Sequence, residues 1–365
     1  MPQHMLQILK RFAGAFIFVF ALVLVFSPAD GWAQEGGFQF GVIGDTPYSN
    51  KMVKQTERAI KAMNRAQLAF VVHVGDFQSG SWPRYKRDPK AYKFMPCSDG
   101  NMAAVLDLFR LSAHSFILTP GDNDWTDCPR FKSGNFSALE RLAKVRGMFF
   151  PKGKSLGKRA MAVESQAGDP AHSKFVENLS WTIGGVVFAT VHIVGSNDNF
   201  TSGENPKMDA EHKERIAANL VWIKKAFAAA RSGAARGLVL IAHANPRFEN
   251  HWRRRSIRRY TRGVAGLEVK RERQPSVYDT YSNALRKEMR TYAKPVLYIH
   301  GGTHTFRVNK PLFGKKARRV YTNFTRLETF GSPDTHWVRV TVDPDYSGLF
   351  SIRAEIIPEN RVHHR

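Results

Sequence analysis

Five short segments of this sequence place acidic or histidine side chains directly after an apolar run. They are GDTPYS (44–49), VGDF (74–77), PGDND (120–124), IAHANP (241–246) and IHGGTH (299–304). In an open α/β sheet, ligands bind beyond the carboxyl ends of the strands, so residues that directly follow a strand face the binding site. One Gly-Asp turn is ordinary, because Asp commonly bonds to its own backbone in turns. Five such segments in one chain predict a shared site of carboxylates and imidazoles.

These side chains are suited to a hydrolytic centre with two metal ions. Mixed carboxylate and imidazole ligands favour Mn, Fe or Zn over Ca or Mg. Two ions held ~3.5–4 Å apart need a bridging anion to offset their repulsion, and a carboxylate such as Asp76 can supply it. Such a pair polarises a phosphoryl oxygen, activates water and stabilises the charge on the leaving oxygen. The pattern therefore suits a pair of divalent or trivalent ions in a hydrolytic site.

In their order and strand context, the five segments resemble the blocks of the calcineurin-like metallophosphoesterases, which run D-x-H, G-D, G-N-H-[DE], H and G-H-x-H. The resemblance covers about residues 38–310. It implies an α/β fold, a four-layer αββα sandwich of mixed sheets flanked by helices, with two metal ions at one edge. It also implies that Asp45 and His304 bind the first metal, that Asp122 and His243 bind the second, and that Asp76 bridges them.

The first and third segments depart from the family pattern. Pro47 stands where the first block has His, and Tyr48 beside it is either a replacement ligand or an ordinary turn tyrosine. Asp122 stands where Asn is usual, and a shift of one residue would make Asn123 the ligand instead. In the usual alignment Asn123 takes the place of the His that assists the leaving group, but Asn cannot donate a proton in the same way. The general acid therefore has no candidate from these segments.

The fifth segment departs as well. Gly302 replaces the first His of G-H-x-H, and His300, the nearest substitute, is either a metal ligand or a strand-end histidine bonded to backbone. Two further histidines, His73 and His192, lie inside apolar strands and are predicted to be hydrogen-bonded core residues. The predicted catalytic residues are Asp76, Asn123 and His243.

The elements that position these residues alternate between strands and helices, which is typical of βαβ units and a largely parallel sheet. Strands are predicted over 38–44, 68–75 and 115–120, and helices over 50–66, 102–111 and 137–149. Gly184-Gly185 predicts a hairpin between strands 179–183 and 186–194. Helices 209–230 and 278–292 and strands 238–242, 296–300, 319–325, 336–342 and 349–357 complete the expected order, and residues 34–365 are predicted to form a single domain.

The N-terminus has the pattern of a signal peptide. Lys10 and Arg11 precede an apolar run over 12–26, which is shorter than the ~20 residues of a spanning helix, and Gly31-Trp32-Ala33 resembles a cleavage site. Cleavage after Ala33 (signal peptide 1–33) predicts a periplasmic or secreted protein without a membrane span in the mature chain; a retained anchor would also place the rest outside the cytoplasm. Cys97 and Cys128, the only cysteines, lack the paired CxxC pattern of a zinc site and are expected to form a disulfide.

The chain is strongly basic, with 55 Lys and Arg residues against 31 Asp and Glu and a formal net charge of +24. Such a charge favours anionic partners. An insertion at about 247–274 concentrates Arg and Lys with interleaved Trp252 and Tyr260, and is either a substrate-capturing arm or a solvated basic loop. Expected substrates carry phosphate: nucleotides, nucleic acid, polyphosphate or envelope phosphates, as mono- or diesters. The alternative function is a catalytically decayed phosphoesterase fold that binds polyanions.

Overall fold

Two β-sheets form the framework of the protein. The computed structural model describes residues 36–81, 95–246, 248, 276–314 and 319–361. The strands are β1 (Phe38–Ile43), β2 (Phe70–His73), β3 (Ser115–Leu118), β4 (Glu164–Ser165), β5 (Leu179–Ile183), β6 (Val186–Thr190), β7 (Gly237–Ile241), β8 (Val296–His300), β9 (Arg307–Asn309), β10 (Phe324–Glu328), β11 (Trp337–Val342) and β12 (Phe350–Glu355). The α-helices are α1 (Asn50–Asn64), α2 (Asp99–Phe109), α3 (Ala138–Phe149), α4 (Pro206–Ala230) and α5 (Asp279–Met289).

The first sheet has the strand order β12-β11-β1-β2-β3. Strands β1, β2 and β3 are parallel, and β11 pairs antiparallel with both β1 and β12. The helices between these strands begin at serine caps, because the hydroxyls of Ser49, Ser98 and Ser137 accept backbone N–H groups of the first turn. The Ser98 cap explains why α2 begins at Asp99, three residues before the predicted start.

The second sheet has the order β4-β5-β6-β7-β8-β10-β9. Strands β6, β7, β8 and β10 are parallel, whereas β4, β5 and β9 are antiparallel to their neighbours. The predicted β5–β6 hairpin is confirmed, with Gly184 and Gly185 both at positive φ (56° and 76°), as a two-residue turn of this kind requires.

The predicted bounds of the strand over 319–325 are wrong. The strand in this region is β10, which spans Phe324–Glu328. The sequence of this strand is FTRLE, and its Arg326 and Glu328 are both buried in the structure. The apolar content of the segment is therefore too low to indicate a central strand. The short strands β4 and β9 were not predicted either. Both lie at the edges of the second sheet, where a strand of two or three residues leaves little periodic signal.

The two sheets pack face to face through aromatic side chains. Phe40 and Phe70 of the first sheet meet Phe188 of the second with ring centroids 5.5 Å and 5.1 Å apart, and Trp181 stacks on Phe188 at 5.2 Å. Burying each phenyl ring contributes about 1.5–3 kcal/mol. Helices α1 to α3 add their buried residues to this core on the side of the first sheet, and α4 and α5 cover the second sheet. The four-layer αββα sandwich is therefore confirmed.

This arrangement places the carboxyl ends of β1, β2 and β3 at one edge of the first sheet, and those of β7 and β8 at one edge of the second. The five candidate segments all begin there. Among the described residues, no helix is long and apolar enough to cross a membrane. The predicted signal peptide and the basic insertion at about 247–274 lie outside the described residues, so they and the single-domain assignment stay predictions.

Candidate metal centre

Asp45 and Asp76 directly follow β1 and β2 and are both fully or almost fully buried. Each has a left-handed backbone, with φ of 52° and 54°. A non-glycine residue in this region costs of order 1–3 kcal/mol and persists only where surrounding bonds impose it. Here the Asp45 N–H donates to the Gly75 carbonyl at 3.0 Å. The Gly302 N–H lies 3.1 Å and 3.0 Å from the two Asp45 carboxylate oxygens.

His243 and His304 present the same ring nitrogen to the site. The Nδ1 of His243 lies 2.9 Å from the Val74 carbonyl oxygen, and the Nδ1 of His304 lies 2.8 Å from that of Ser332. Because a carbonyl oxygen only accepts, each Nδ1 carries a proton and each Nε2 faces the carboxylates. Metal-binding histidines usually donate their other N–H in this way, which fixes the tautomer and the ring orientation.

The Nε2 of His243 lies 2.9 Å from Asp122 Oδ1 and 3.5 Å from Asp76 Oδ1. Neither contact has hydrogen-bond geometry, so this buried nitrogen has no hydrogen-bond partner in the described part of the chain. Ligand atoms of Asp45, Asp76 and His243 all lie within 4.8 Å of one another. Burial by itself lowers the pKa of His243, but Asp76, Asp122 and Asp45 raise it well above its ordinary value. The site therefore attracts a cation, either a proton or a metal ion.

Asp76 stands between two groups of candidate ligands. Its Oδ1 faces His243 and accepts the Asn123 N–H at 2.9 Å, and its Oδ2 accepts the Tyr48 hydroxyl at 2.8 Å. Burial, together with the charges of Asp122, Asp124 and Asp45, raises the pKa of Asp76 well above its ordinary value. We call the group of His243, Asp122 and Asp76 Oδ1 the His243 side, and that of His304, Tyr48 and Asp76 Oδ2 the His304 side. Asp45 adjoins both, because its Oδ1 lies 3.3 Å from His304 Nε2 and its carboxylate also converges with Asp76 and His243.

Tyr48, the residue after Pro47, brings a hydroxyl between Asp76 and His304. Its oxygen lies 3.4 Å from His304 Nε2 and accepts an N–H of the Asn123 amide at 3.1 Å, in addition to donating to Asp76. Burial and the neighbouring carboxylates raise the pKa of Tyr48 well above its ordinary value, so the hydroxyl is a donor in the metal-free protein. Of the two alternatives for Tyr48, the structure thus favours a residue of the centre over an ordinary turn tyrosine.

Asp122 and Asn123 have different surroundings. The Asp122 carboxylate accepts the Gly195 N–H at 3.1 Å and the Ser196 hydroxyl at 2.9 Å. Burial raises the pKa of Asp122, but His243 and Ser196 outweigh it and hold the pKa at about 2. The Asn123 side chain instead points toward Tyr48. The third segment therefore presents Asp122 to His243, and Asn123 lies beside the centre.

His300 lies outside this group. Its Nδ1 is 2.7 Å from the Gly301 carbonyl oxygen, and its Nε2 lies 3.9 Å from a Glu328 oxygen and has no hydrogen-bond partner among the residues described. Burial lowers the pKa of His300 well below its ordinary value. Its position is that of a strand-end histidine bonded to backbone, and no convergent ligand group in the described ranges includes it.

Asp124 is a site residue that the sequence did not reveal. Its carboxylate accepts the N–H groups of Asp76, Phe77 and Gly121 at 3.0, 2.9 and 2.7 Å, so it ties the loop after β2 to the loop after β3. Burial raises the pKa of Asp124 to about 7 in spite of these bonds. Its position as the last acid of PGDND was visible, but two of its three partners, Phe77 and Asp76, lie 47 and 48 residues away.

The histidines predicted to be core residues are confirmed as such. Nε2 of His73 donates to the Thr46 carbonyl at 2.8 Å, and the Gly75 N–H donates to its Nδ1. Nδ1 of His192 donates to Glu177 at 2.7 Å, and Nε2 accepts the Trp125 indole N–H at 3.1 Å. His73 thus supports the loop that carries Asp45.

The predicted disulfide between Cys97 and Cys128 is confirmed. Gln78 connects it to the third segment, because the Gln78 amide donates to the Asn123 carbonyl at 3.0 Å and accepts the Cys97 N–H at 2.9 Å. The disulfide therefore anchors the loop that carries Asp122 and Asn123.

The residues present fit a pair of metal ions. The orphaned His243 Nε2 faces Asp122 and Asp76, and the buried carboxylates together leave negative charge that hydrogen bonds do not balance. A buried cluster of this kind is stable when cations neutralise it. The structure does not test which residues bind the ions, so the assignments stay predictions.

Comparisons with known proteins place the fold. No protein-family model matches the chain, and a search of curated proteins found no match. The structure is similar to that of a dimetal phosphatase from Danio rerio, with a TM-score of 0.51 and 11% identity over 88% of this chain and 96% of that chain. A structure of PhoD matches with a TM-score of 0.48 and 12% identity, over 87% of this chain and 68% of that chain. At this identity the first match shows the fold alone, a divergent fold of the metallophosphoesterase type.

Proposed function

We propose that this protein is an exported, metal-dependent phosphoester hydrolase with two ions of Mn, Fe or Zn. The observation that carries the proposal is the position of Asp76. One of its oxygens faces the His243 side and the other faces the His304 side. A carboxylate shared between two ligand groups is what a pair of closely spaced cations requires.

In this proposal the His243 side holds one ion and the His304 side the other. Bound there, the ions supply Lewis acidity toward the phosphoryl oxygens and neutralise charge on the leaving oxygen. The protein fixes their ligands in advance: Gly302 orients Asp45, Ser196 and Gly195 orient Asp122, and the two histidines are oriented by carbonyl groups. The Asn123 amide lies beside Tyr48, and we propose that it contacts the substrate.

We expect the substrate to be a phosphate-bearing anion, because the net charge of +24 favours such partners. Nucleotides, nucleic acid, polyphosphate and phosphorylated envelope components remain the candidates, as mono- or diesters. The signal-peptide pattern and the disulfide support export to the periplasm or the medium.

The rival proposal, a decayed phosphoesterase fold that binds polyanions, rests on Pro47, Asn123 and Gly302. The Tyr48 hydroxyl, one residue beyond Pro47, bonds to Asp76, and the Gly302 N–H bonds to Asp45. These contacts support an adapted centre rather than a vacated one.

The test is metal content together with turnover. Protein purified without chelator should contain about two ions per chain and should hydrolyse members of a panel of phosphomonoesters and phosphodiesters when Mn, Fe or Zn is supplied. Ca should support little activity. Protein that retains no transition metal and hydrolyses no ester, yet binds polyphosphate, would establish the rival function.

A further inference from the structure

An exposed arginine lies next to the His243 side. Arg130 has a side chain that is 53% exposed, and it precedes a short 3-10 turn, Phe131–Ser133. One guanidinium nitrogen pairs with Asp127 at 2.5 Å, and the other terminal nitrogen donates to the Ser196 hydroxyl at 3.2 Å. The same hydroxyl donates to Asp122 at 2.9 Å. The guanidinium is thus separated from a candidate metal ligand by a single hydroxyl group.

The position of Arg130 is fixed from two directions. Asp127 is 5% exposed, and its other oxygen lies 2.7 Å from the Ser196 hydroxyl oxygen, so the carboxylate contacts both Arg130 and Ser196. On the other side, the Ser133 hydroxyl donates to the Gly80 carbonyl at 2.7 Å, which fastens the 3-10 turn to the loop after β2. A flexible surface arginine has neither restraint.

Gly80 allows this arginine to approach Asn123. A Cβ atom at position 80 would lie 2.1 Å from the Asn123 amide oxygen and 3.2 Å from an Arg130 Nη1. Only glycine leaves room for both groups at this point. The guanidinium and the Asn123 amide therefore both lie close to Gly80, and the amide also contacts Tyr48.

The guanidinium has N–H groups beyond the two that bond Asp127 and Ser196, and its exposure leaves them open to solvent. An arginine of this kind binds carboxylates and phosphates through charge-assisted, often bidentate hydrogen bonds. Because a hydroxyl separates it from Asp122, it is better placed for a neighbouring anionic group than for a phosphoryl group held at the ligands themselves.

We infer that Arg130 is a substrate-binding residue that selects phosphoesters carrying a second anionic group, a carboxylate or phosphate, on the portion that is not transferred. The inference rests on the proposed function and adds a specificity to it. Asp127 and Ser196 hold the guanidinium in place, and the Asn123 amide lies close to it across Gly80.

The experiment compares 3-carboxyphenyl phosphate with its neutral isostere, 3-carbamoylphenyl phosphate. The unaltered protein should prefer the carboxylate compound. In Arg130→Gln the ratio of the two kcat/KM values should fall about tenfold, mainly through KM, because the lost contact is a charge-assisted hydrogen bond. Arg130→Lys should retain part of the preference. Lys132→Gln, which removes another exposed positive charge two residues away, should leave the ratio within about twofold.

An unchanged ratio in Arg130→Gln overturns the inference. So does an equal loss on both substrates accompanied by loss of bound metal, because Arg130 then only supports Ser196 and Asp122. Metal content is therefore measured for every variant.

A binding measurement separates this inference from the proposed function. Calorimetry with Mn-loaded protein compares 3-carboxybenzyl phosphonate with 3-carbamoylbenzyl phosphonate, which cannot be hydrolysed. A preference for the carboxylate compound that disappears in Arg130→Gln supports the inference, whether or not any ester is hydrolysed. A lack of ester hydrolysis would contradict only the proposed function. Equal binding of the two phosphonates by the unaltered protein overturns the inference.

Discussion

The two sides of the centre differ in how firmly the fold holds them. His243 is 1% exposed, and its partner Asp122 is bonded by a backbone N–H and a hydroxyl of one loop. His304 is 32% exposed, and its neighbours include Tyr48, which follows Pro47 in the chain. One side is thus enclosed, whereas the other is more open to solvent. The two sides therefore differ in how tightly the surrounding structure restrains their side chains.

The loop behind the His243 side shows the reason for its rigidity. Four successive non-glycine residues, Ser196 to Asn199, have positive φ, which is a strained conformation. Asp198 within this loop forms a fully buried pair with Arg215 of α4 at 2.6 Å and accepts the Tyr281 hydroxyl at 3.0 Å. Breaking such a pair from one side costs about 3–5 kcal/mol. The network therefore holds the strained loop, and with it Ser196, against Asp122.

The largest effect is expected from Asp76→Asn, because Asp76 contacts both sides. The change removes the shared charge and almost no volume, so hydrolysis should fall at least about 100-fold and both ions should be lost or weakened. Asp107→Asn, on the exposed surface of α2, is the matched control and should behave as the unaltered protein. Metal analysis and turnover assays measure the two losses, and circular dichroism checks that the variant is folded. Unchanged metal content in Asp76→Asn would exclude a bridging role.

Replacing each histidine separately sharpens the comparison. His243→Ala should abolish binding of one ion, because His243 supplies the one imidazole of the His243 side among the described residues. His304→Ala should weaken the other ion by about 10- to 100-fold, because Asp45 and Tyr48 remain. Metal titration of the two variants measures this. Equal losses in both would show that the sides are not independent.

The two sides should also differ in their response to pH. The pKa of His243 is raised well above its ordinary value by three carboxylates that outweigh its burial, and that of His304 is raised mainly by Asp45 against burial. A proton must leave each ring before a metal binds, so metal affinity should fall as the pH drops below these raised pKa values, by about tenfold per pH unit for each proton displaced. The fall should begin at a higher pH on the His243 side, because the pKa of His243 is raised further. Calorimetry in buffers of different ionisation enthalpy measures the number of protons released. Metal binding without proton release would contradict the expected loss of a proton from each ring.

The smallest effect is expected from Tyr48→Phe, which removes one hydroxyl from the open side. If the hydroxyl helps to hold an ion, the affinity of one ion should fall about tenfold while the ion on the His243 side is unaffected. Tyr346→Phe, which alters an exposed tyrosine, is the control. A loss of turnover with both affinities intact would instead assign Tyr48 to the orientation of Asp76.

The sequence by itself determined most secondary-structure elements and the strand-end positions of the candidate ligands. Hydrophobic runs placed most strands within one or two residues, and the strand-end positions of Asp45, Asp76, Asp122, His243 and His304 predicted that they would face one edge. These features depend on local periodicity and on the rule that parallel strands present their carboxyl ends together, so they can be read without a structure.

The tertiary structure alone decided which neighbours complete the site. Asp124 accepts hydrogen bonds from the loop after β2, 47 and 48 residues away, and the Tyr48 hydroxyl bonds to Asp76. Ser196 contacts both Arg130 and Asp122, which are 66 and 74 residues away. The same holds for His300, whose orientation away from the convergent group depends on the ring's nearest acceptor. Sequence spacing carries no information about such contacts, because they depend on side-chain directions and on the packing of segments that are distant in the chain.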